Sequence, residues 1–329
     1  MPKSPHPDSR PAELPGTSRK TGILLVAFGA SGHVAQQTLA GFEQHVRGLY
    51  PETPVRWAFT SEWMRTRLTA AKKKTDSIHK ALMRMYYEKY THIAVQPLHI
   101  IPGAEYNALK NAVRRVSLEH GLHTAVGAPL LTDRRGIDCA AEALLAHLPE
   151  ERAPQEPVLF VGHGTWHKGG VGYGELALAV RKKDPAVFIG TLEGGNAPEV
   201  IASMKRGTLP VSQQGSPGHS GTEGSTPEPL AGQPADLQDS AGKNGHNRCG
   251  TAGNTVQETS NQRRVWLLPL LSVIGRHAEV DIAGNHDQSW KHMVEQAGFQ
   301  CTPVLKGTAE YASFIAIWAR HLSEAMKKV

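Results

Sequence analysis

The apolar positions of this chain fall in short continuous runs separated by longer stretches of mixed character. The first run, Gly22-Ile23-Leu24-Leu25-Val26-Ala27-Phe28, is closed by Gly29-Ala30-Ser31-Gly32. A run without polar alternation fits a strand buried on both faces, as in a parallel sheet. A helical stretch follows, and Val55–Phe59 reads as a second strand. Ile78, Leu82, Met85 and Tyr86 then recur at helical spacing within residues 76–88. His92–Pro97, with Ile93-Ala94-Val95 at its centre, reads as a third strand. Strands alternating with helices predict an α/β fold with a parallel sheet.

The second half repeats the plan. Val158–Val161 runs into Gly162-His163-Gly164, and Val187–Gly190 and Val265–Leu268 are the next strands. Gly29 and Gly164 stand 135 residues apart; Pro97 and Pro269, Gly103 and Gly275, and Glu105 and His277 each stand 172 apart. The larger offset requires extra residues between the matching elements of the second half. They are found between Lys205 and Gln262, a segment without Phe, Trp, Tyr, Ile or Met and dominated by Gly, Ser, Thr, Pro and Gln. Such a composition buries too little apolar surface to offset its ordering entropy. The expectation is therefore a duplicated α/β protein with two similar Rossmann-like domains and parallel sheets. The tail is residues 1–20, the domains are 21–152 and 153–329, and a disordered insert spans 205–262. The last helix is expected to pack back on the first domain.

Composition narrows the function classes. The 329 residues carry a formal net charge of +6 with no long Lys/Arg block, which disfavours nucleic acid and suits a small acidic substrate. Arg56, Arg65, Arg67 and Lys72–Lys74 could line one edge of such a site, or form a solvated helix face. Three scattered cysteines give neither a disulfide framework nor a thiolate zinc site. The polar, proline-rich residues 1–20 lack a secretory apolar core, and no apolar run reaches membrane-spanning length. A cytoplasmic location is expected, with no membrane partner; a homo-oligomer is compatible with the sequence.

Histidine is abundant, at 17 residues. In parallel sheets binding groups gather beyond the carboxyl ends of the strands. His163 directly follows one strand, Glu193 follows the next, and His277 lies in the loop after Leu267–Val273. Two imidazoles and a carboxylate suit a divalent first-row metal with open positions for substrate. Each also has a plainer reading: His163 as a loop hydrogen-bonding group, Glu193 as a charge at a helix N-terminus, His277 as a surface residue. His167, four residues after His163, is a second choice of ligand, because Gly164 and Gly169-Gly170 argue against a helix there. Residues 168–175, KGGVGYGE, match no phosphate-loop pattern and read as a flexible lip over a pocket.

GHGTWH (162–167), TLEGG (191–195), GRHAEVD (275–281) and DQSWK (287–291), together with LLVAFGAS (24–31), AFTS (58–61) and QPLHIIPGAEY (96–106), form an ordered set. In it the chain resembles the sirohydrochlorin cobaltochelatases of the anaerobic cobalamin pathway, class II chelatases related to ferrochelatase. The likeness covers roughly residues 22–203 and 264–325. It implies two α/β domains facing across a tetrapyrrole cleft, with the metal-binding His, Glu and His on His163, Glu193 and His277. An acidic cleft residue falls on Glu105. His163, His277 and Glu105 are the expected catalytic residues, the imidazoles both holding metal and accepting protons, and Glu105 and His167 are the expected substrate contacts. Where an Asn-Asp pair is usual the chain keeps only Asp281. The resemblance implies Co²⁺ insertion into sirohydrochlorin, with the divalent metal as substrate and no organic cofactor. Fe²⁺ insertion for sirohaem, Ni²⁺ as metal, and a non-catalytic metal or tetrapyrrole carrier are the alternatives.

Overall fold

The computed structural model describes residues 18–29, 32–70, 75–166, 170–207 and 263–329. The stretches expected as a tail and as an insert lie almost wholly outside the described residues. Two parallel four-stranded sheets make up the frame. The first contains β1 (Thr21–Ala27), β2 (Val55–Phe59), β3 (His92–Pro97) and β4 (His123–Val126), in the order β2-β1-β3-β4. The second contains β5 (Val158–Gly162), β6 (Val187–Thr191), β7 (Arg264–Leu270) and β8 (Gln300–Pro303), in the order β6-β5-β7-β8. The two orders are the same once the strands are counted within each half.

Register extends the equivalence to single residues. Val26 pairs with Pro97 in the first sheet, and Val161 with Pro269 in the second. These pairs reproduce the offsets of 135 and 172 read from the sequence, so both halves fold on one template.

Strand alternation sorts the core. Ile23 and Leu25 face one way from β1, and Leu24 and Val26 the other. The first pair joins a cluster that also holds Phe160, Trp266 and Trp318, so apolar packing runs unbroken between the two sheets. Leu24 and Val26 pack instead with α3 (Ile78–Tyr87) and α4 (Ala104–His120). On the second sheet Leu159 and Val161 pack with α7 (Ala197–Arg206) and α8 (Trp290–Gln296). Both faces of both sheets are thus covered, which is why their strands read as continuous apolar runs.

The remaining helices are α1 (His33–Leu49), α2 (Glu62–Ala70), α5 (Arg134–Leu145), α6 (Val171–Lys183) and α9 (Ala312–Met326). Although α9 follows the second sheet in the chain, it packs on β3 and β4 of the first. Its Trp318 meets Phe42 of α1 edge-on at 6.1 Å, and His321 Nδ1 lies 3.0 Å from the Ala128 carbonyl.

The glycine-rich stretch expected as a flexible lip is corrected over most of its length, since Val171–Glu175 form the first turns of α6. Tertiary contacts override the poor helix propensity of glycine here. Tyr173 is 5% exposed, and a Cβ on Gly172 would lie 3.2 Å from Leu131 Cβ, so Gly172 lets the helix approach closely.

Candidate metal and tetrapyrrole site

A cavity of about 900 Å³ opens where the carboxyl ends of both sheets meet, walled by loops from each half. Glu105, His163, Glu193 and His277 all line it. The sequence-predicted residues are therefore brought together, apart from His167, which lies outside the described residues.

His163 follows the last residue of β5. Its Nδ1 is 3.3 Å from the Gly164 carbonyl and 3.8 Å from Glu193 Oε1. The Glu193 N–H donates to the His163 carbonyl at 2.8 Å, and the Thr191 hydroxyl donates to the Glu193 carbonyl at 2.7 Å. Gly164 makes this packing possible. Its φ is +80°, and a Cβ there would stand 2.3 Å from the Glu193 carbonyl oxygen. Beneath the loop, buried Tyr173 accepts hydrogen bonds from the backbone of Gly164 and His163, and burial raises its phenol well above the usual range.

His277 does not lie in an irregular loop as expected. It begins a π-helical turn, His277–Ile282, closed by the Ala283 N–H bonding to the Ala278 carbonyl at 3.0 Å. Such turns are frequent at functional sites. The turn sets Asp281 Oδ2 at 2.6 Å from His277 Nδ1. With the carboxylate accepting, Nδ1 carries the proton and Nε2 offers its lone pair. The His163 and His277 rings meet edge-to-face, 4.9 Å between centroids. In each the Nδ1 side faces a protein acceptor, which leaves the Nε2 atoms for a ligand.

Glu105 sits in the first turn of α4. Burial pushes its carboxyl upward, nearby His163 counteracts this, and Glu193 adds to it. Among the described residues no group of three or more His, Cys, Asp or Glu side chains is poised to hold a metal ion. His163, Glu193 and His277 line one cavity and are each more than 40% exposed.

Of the basic residues proposed for the cleft edge, Arg56 and Arg65 do not line the cavity. Arg56 is hydrogen-bonded to Glu88, and Arg65 donates to the carbonyls of Phe59 and Thr60 at 2.7 and 2.8 Å. Arg67 does line the cavity, joined by Arg276, while Lys72–Lys74 lie outside the described residues. Sequence reasoning missed Arg276, Tyr173 and His99. Arg276 adjoins His277 in the sequence, which was a usable signal; burial of the other two depends on tertiary packing.

A fold of two equivalent parallel sheets with the cavity at their carboxyl ends is the architecture of the chelatases. Sirohydrochlorin chelatase SirB from Bacillus subtilis subspecies spizizenii, solved in complex with cobalt, superposes with a TM-score of 0.54 at 12% identity, covering 94% of this chain and 96% of that one. The chain belongs to the cobalt chelatase (CbiK) family, whose model matches residues 21–209 and 254–327. It is 44% identical over 308 residues to sirohydrochlorin cobaltochelatase CbiKC of Nitratidesulfovibrio vulgaris, covering 93% of this chain and 91% of that protein. It is 26% identical over 315 residues to the sirohydrochlorin cobaltochelatase of Salmonella typhimurium, covering 93% and 97%. No described helix is long and apolar enough to cross a membrane.

Proposed function

We propose that this chelatase inserts Co²⁺ into sirohydrochlorin, with His163, Glu193 and His277 holding the ion and Glu105 accepting a pyrrole proton. The observation that carries the reading is the pair of imidazoles in one cavity, each with Nδ1 turned to a protein acceptor and Nε2 left for the ion. Neutral imidazole nitrogen and carboxylate oxygen suit a divalent first-row cation. Insertion replaces two pyrrole N–H bonds by metal–nitrogen bonds, so two protons leave for each ion. Glu105 lines the same cavity, and its raised affinity for a proton, caused mainly by burial, suits an acceptor. Arg67 and Arg276 on the wall suit the carboxylate side chains of the substrate.

Fe²⁺ insertion is the second reading, and Ni²⁺ a further substrate, because this donor set accepts each of these ions. The test follows the visible spectrum of sirohydrochlorin with the purified protein and Co²⁺, Fe²⁺ or Ni²⁺ in turn. The expected result is fastest conversion with Co²⁺. Conversion with Fe²⁺ alone replaces the cobalt assignment, and no acceleration over the protein-free rate with any ion refutes the chelatase reading.

A further inference from the structure

Just beyond β3, His99 sits in the cavity wall with its side chain only 10% exposed. Its backbone is pinned: the Leu98 N–H bonds to the Val26 carbonyl at 2.8 Å, and the Leu130 N–H to the His99 carbonyl at 3.0 Å. Tyr106 stands edge-on to the ring at 6.4 Å. Yet both ring nitrogens, Nδ1 and Nε2, are buried without a hydrogen-bond partner. Burying unpaired polar atoms is costly, and an apolar side chain of similar volume would avoid that cost. A buried imidazole left in this state calls for a functional explanation.

A carboxylate stands close to it: Glu105 Oε2 lies 3.7 Å from His99 Nε2, about 1 Å beyond a hydrogen bond. The two groups differ in freedom. His99 is held on both sides, whereas the Glu105 side chain is about half exposed at the first turn of α4. A small rotation of Glu105 completes the contact, and desolvation favours the neutral ring, which carries one N–H to donate.

We propose that His99 is a positioning residue: its ring N–H takes hold of the Glu105 carboxylate and aims the other carboxylate oxygen at a pyrrole nitrogen of the bound tetrapyrrole. The inference rests on the chelatase reading and on Glu105 as its proton acceptor. In the step it serves, one pyrrole N–H bond breaks, an O–H bond forms on Glu105, and the electron pair stays on nitrogen to bind the metal. Glu105 then passes the proton to solvent. His99 itself gains and loses no proton.

The test compares wild type, His99→Leu, His99→Gln, Glu105→Gln and the double variant His99→Leu/Glu105→Gln in steady-state Co²⁺ insertion, with thermal melts on each. Leucine matches the volume without a donor, and glutamine places an N–H near the Nε2 position. The expected result is a loss of roughly 10- to 100-fold in kcat for His99→Leu, with KM for sirohydrochlorin and for Co²⁺ unchanged. His99→Gln recovers most of kcat. His99→Leu melts at or above the wild-type temperature, since it removes two buried unpaired nitrogens. In the Glu105→Gln background His99→Leu costs nothing more. Wild-type kcat in His99→Leu overturns the proposal, as does an equal loss in both backgrounds. Failure of wild type itself to turn over refutes the chelatase reading instead, so the two failures are separable.

Discussion

Gly164 links the backbone to the site, and Gly164→Ala is the sharpest probe of that link. The new Cβ would lie 2.3 Å from the Glu193 carbonyl oxygen, 2.9 Å from Thr191 Cβ and 3.0 Å from the Glu193 nitrogen. None of the Glu193 contacts is the yielding end of a flexible side chain, so the 191–193 segment has to retreat by about 1 Å to reach van der Waals distance. That movement stretches the 2.8 Å bond from the Glu193 N–H to the His163 carbonyl. The left-handed φ of +80° adds about 1–2 kcal/mol for alanine, and the weakened hydrogen bond about 1 kcal/mol. Destabilisation should therefore reach about 2–3 kcal/mol. Catalysis should suffer more, because a misplacement of about 1 Å among reacting groups can cost on the order of 100-fold. The assay pairs urea unfolding with the initial rate of Co²⁺ insertion. Gly174→Ala is the control: it lies in α6, and a Cβ there meets nothing within 4 Å. The control should retain its rate and gain up to about 1 kcal/mol. A Gly164→Ala protein with wild-type rate would show that the spacing of His163 and Glu193 is immaterial, which refutes the reasoning.

Asp281→Asn keeps the shape of the His277 contact but removes the carboxylate that fixes the ring, and should lower Co²⁺ affinity or rate about 10- to 100-fold; an unchanged Co²⁺ titration contradicts it. His99 supplies a pH dependence, since burial lowers its pKa from 6.5 to about 4. The unfolded chain then binds the extra proton first, so stability is lost as pH falls from 6.5 towards 4, by up to about 3 kcal/mol. Urea unfolding at stepped pH should show a flatter acid limb in His99→Leu than in wild type. Replacing residues 210–253 by a short linker should leave melting temperature and chelation near wild type. The family match passes over that segment, which has no Phe, Trp, Tyr, Ile or Met; loss of folding on deletion contradicts this.

The central strands were legible because each is covered on both faces and so carries an unbroken apolar run. The two offsets were legible for the same reason, and Val26–Pro97 and Val161–Pro269 turn them into matched register. His163, Glu193 and His277 could be picked from their places at or beyond strand ends, since topology alone brings such positions to one rim. What lay beyond reach depends on tertiary packing. The Gly-rich start of α6 contradicts local propensity and exists because Tyr173 and Gly172 dock against their neighbours. The π turn at His277 has no pattern in single-residue preferences, although it is what aims Asp281 at the ring. His99 reads in the sequence as one histidine among 17; only burial without partners sets it apart.

The most direct test of the assigned site is the initial rate of Co²⁺ insertion into sirohydrochlorin by wild type, His163→Ala, His277→Ala and the double variant, with circular dichroism as the folding control. Both side chains are more than 40% exposed, so truncation should leave the fold intact. With both imidazoles proposed to hold one ion, each single variant should lose most activity and the double should be scarcely worse than either. Near wild-type turnover in both single variants would contradict the account and move the search for the ion's ligands to His167.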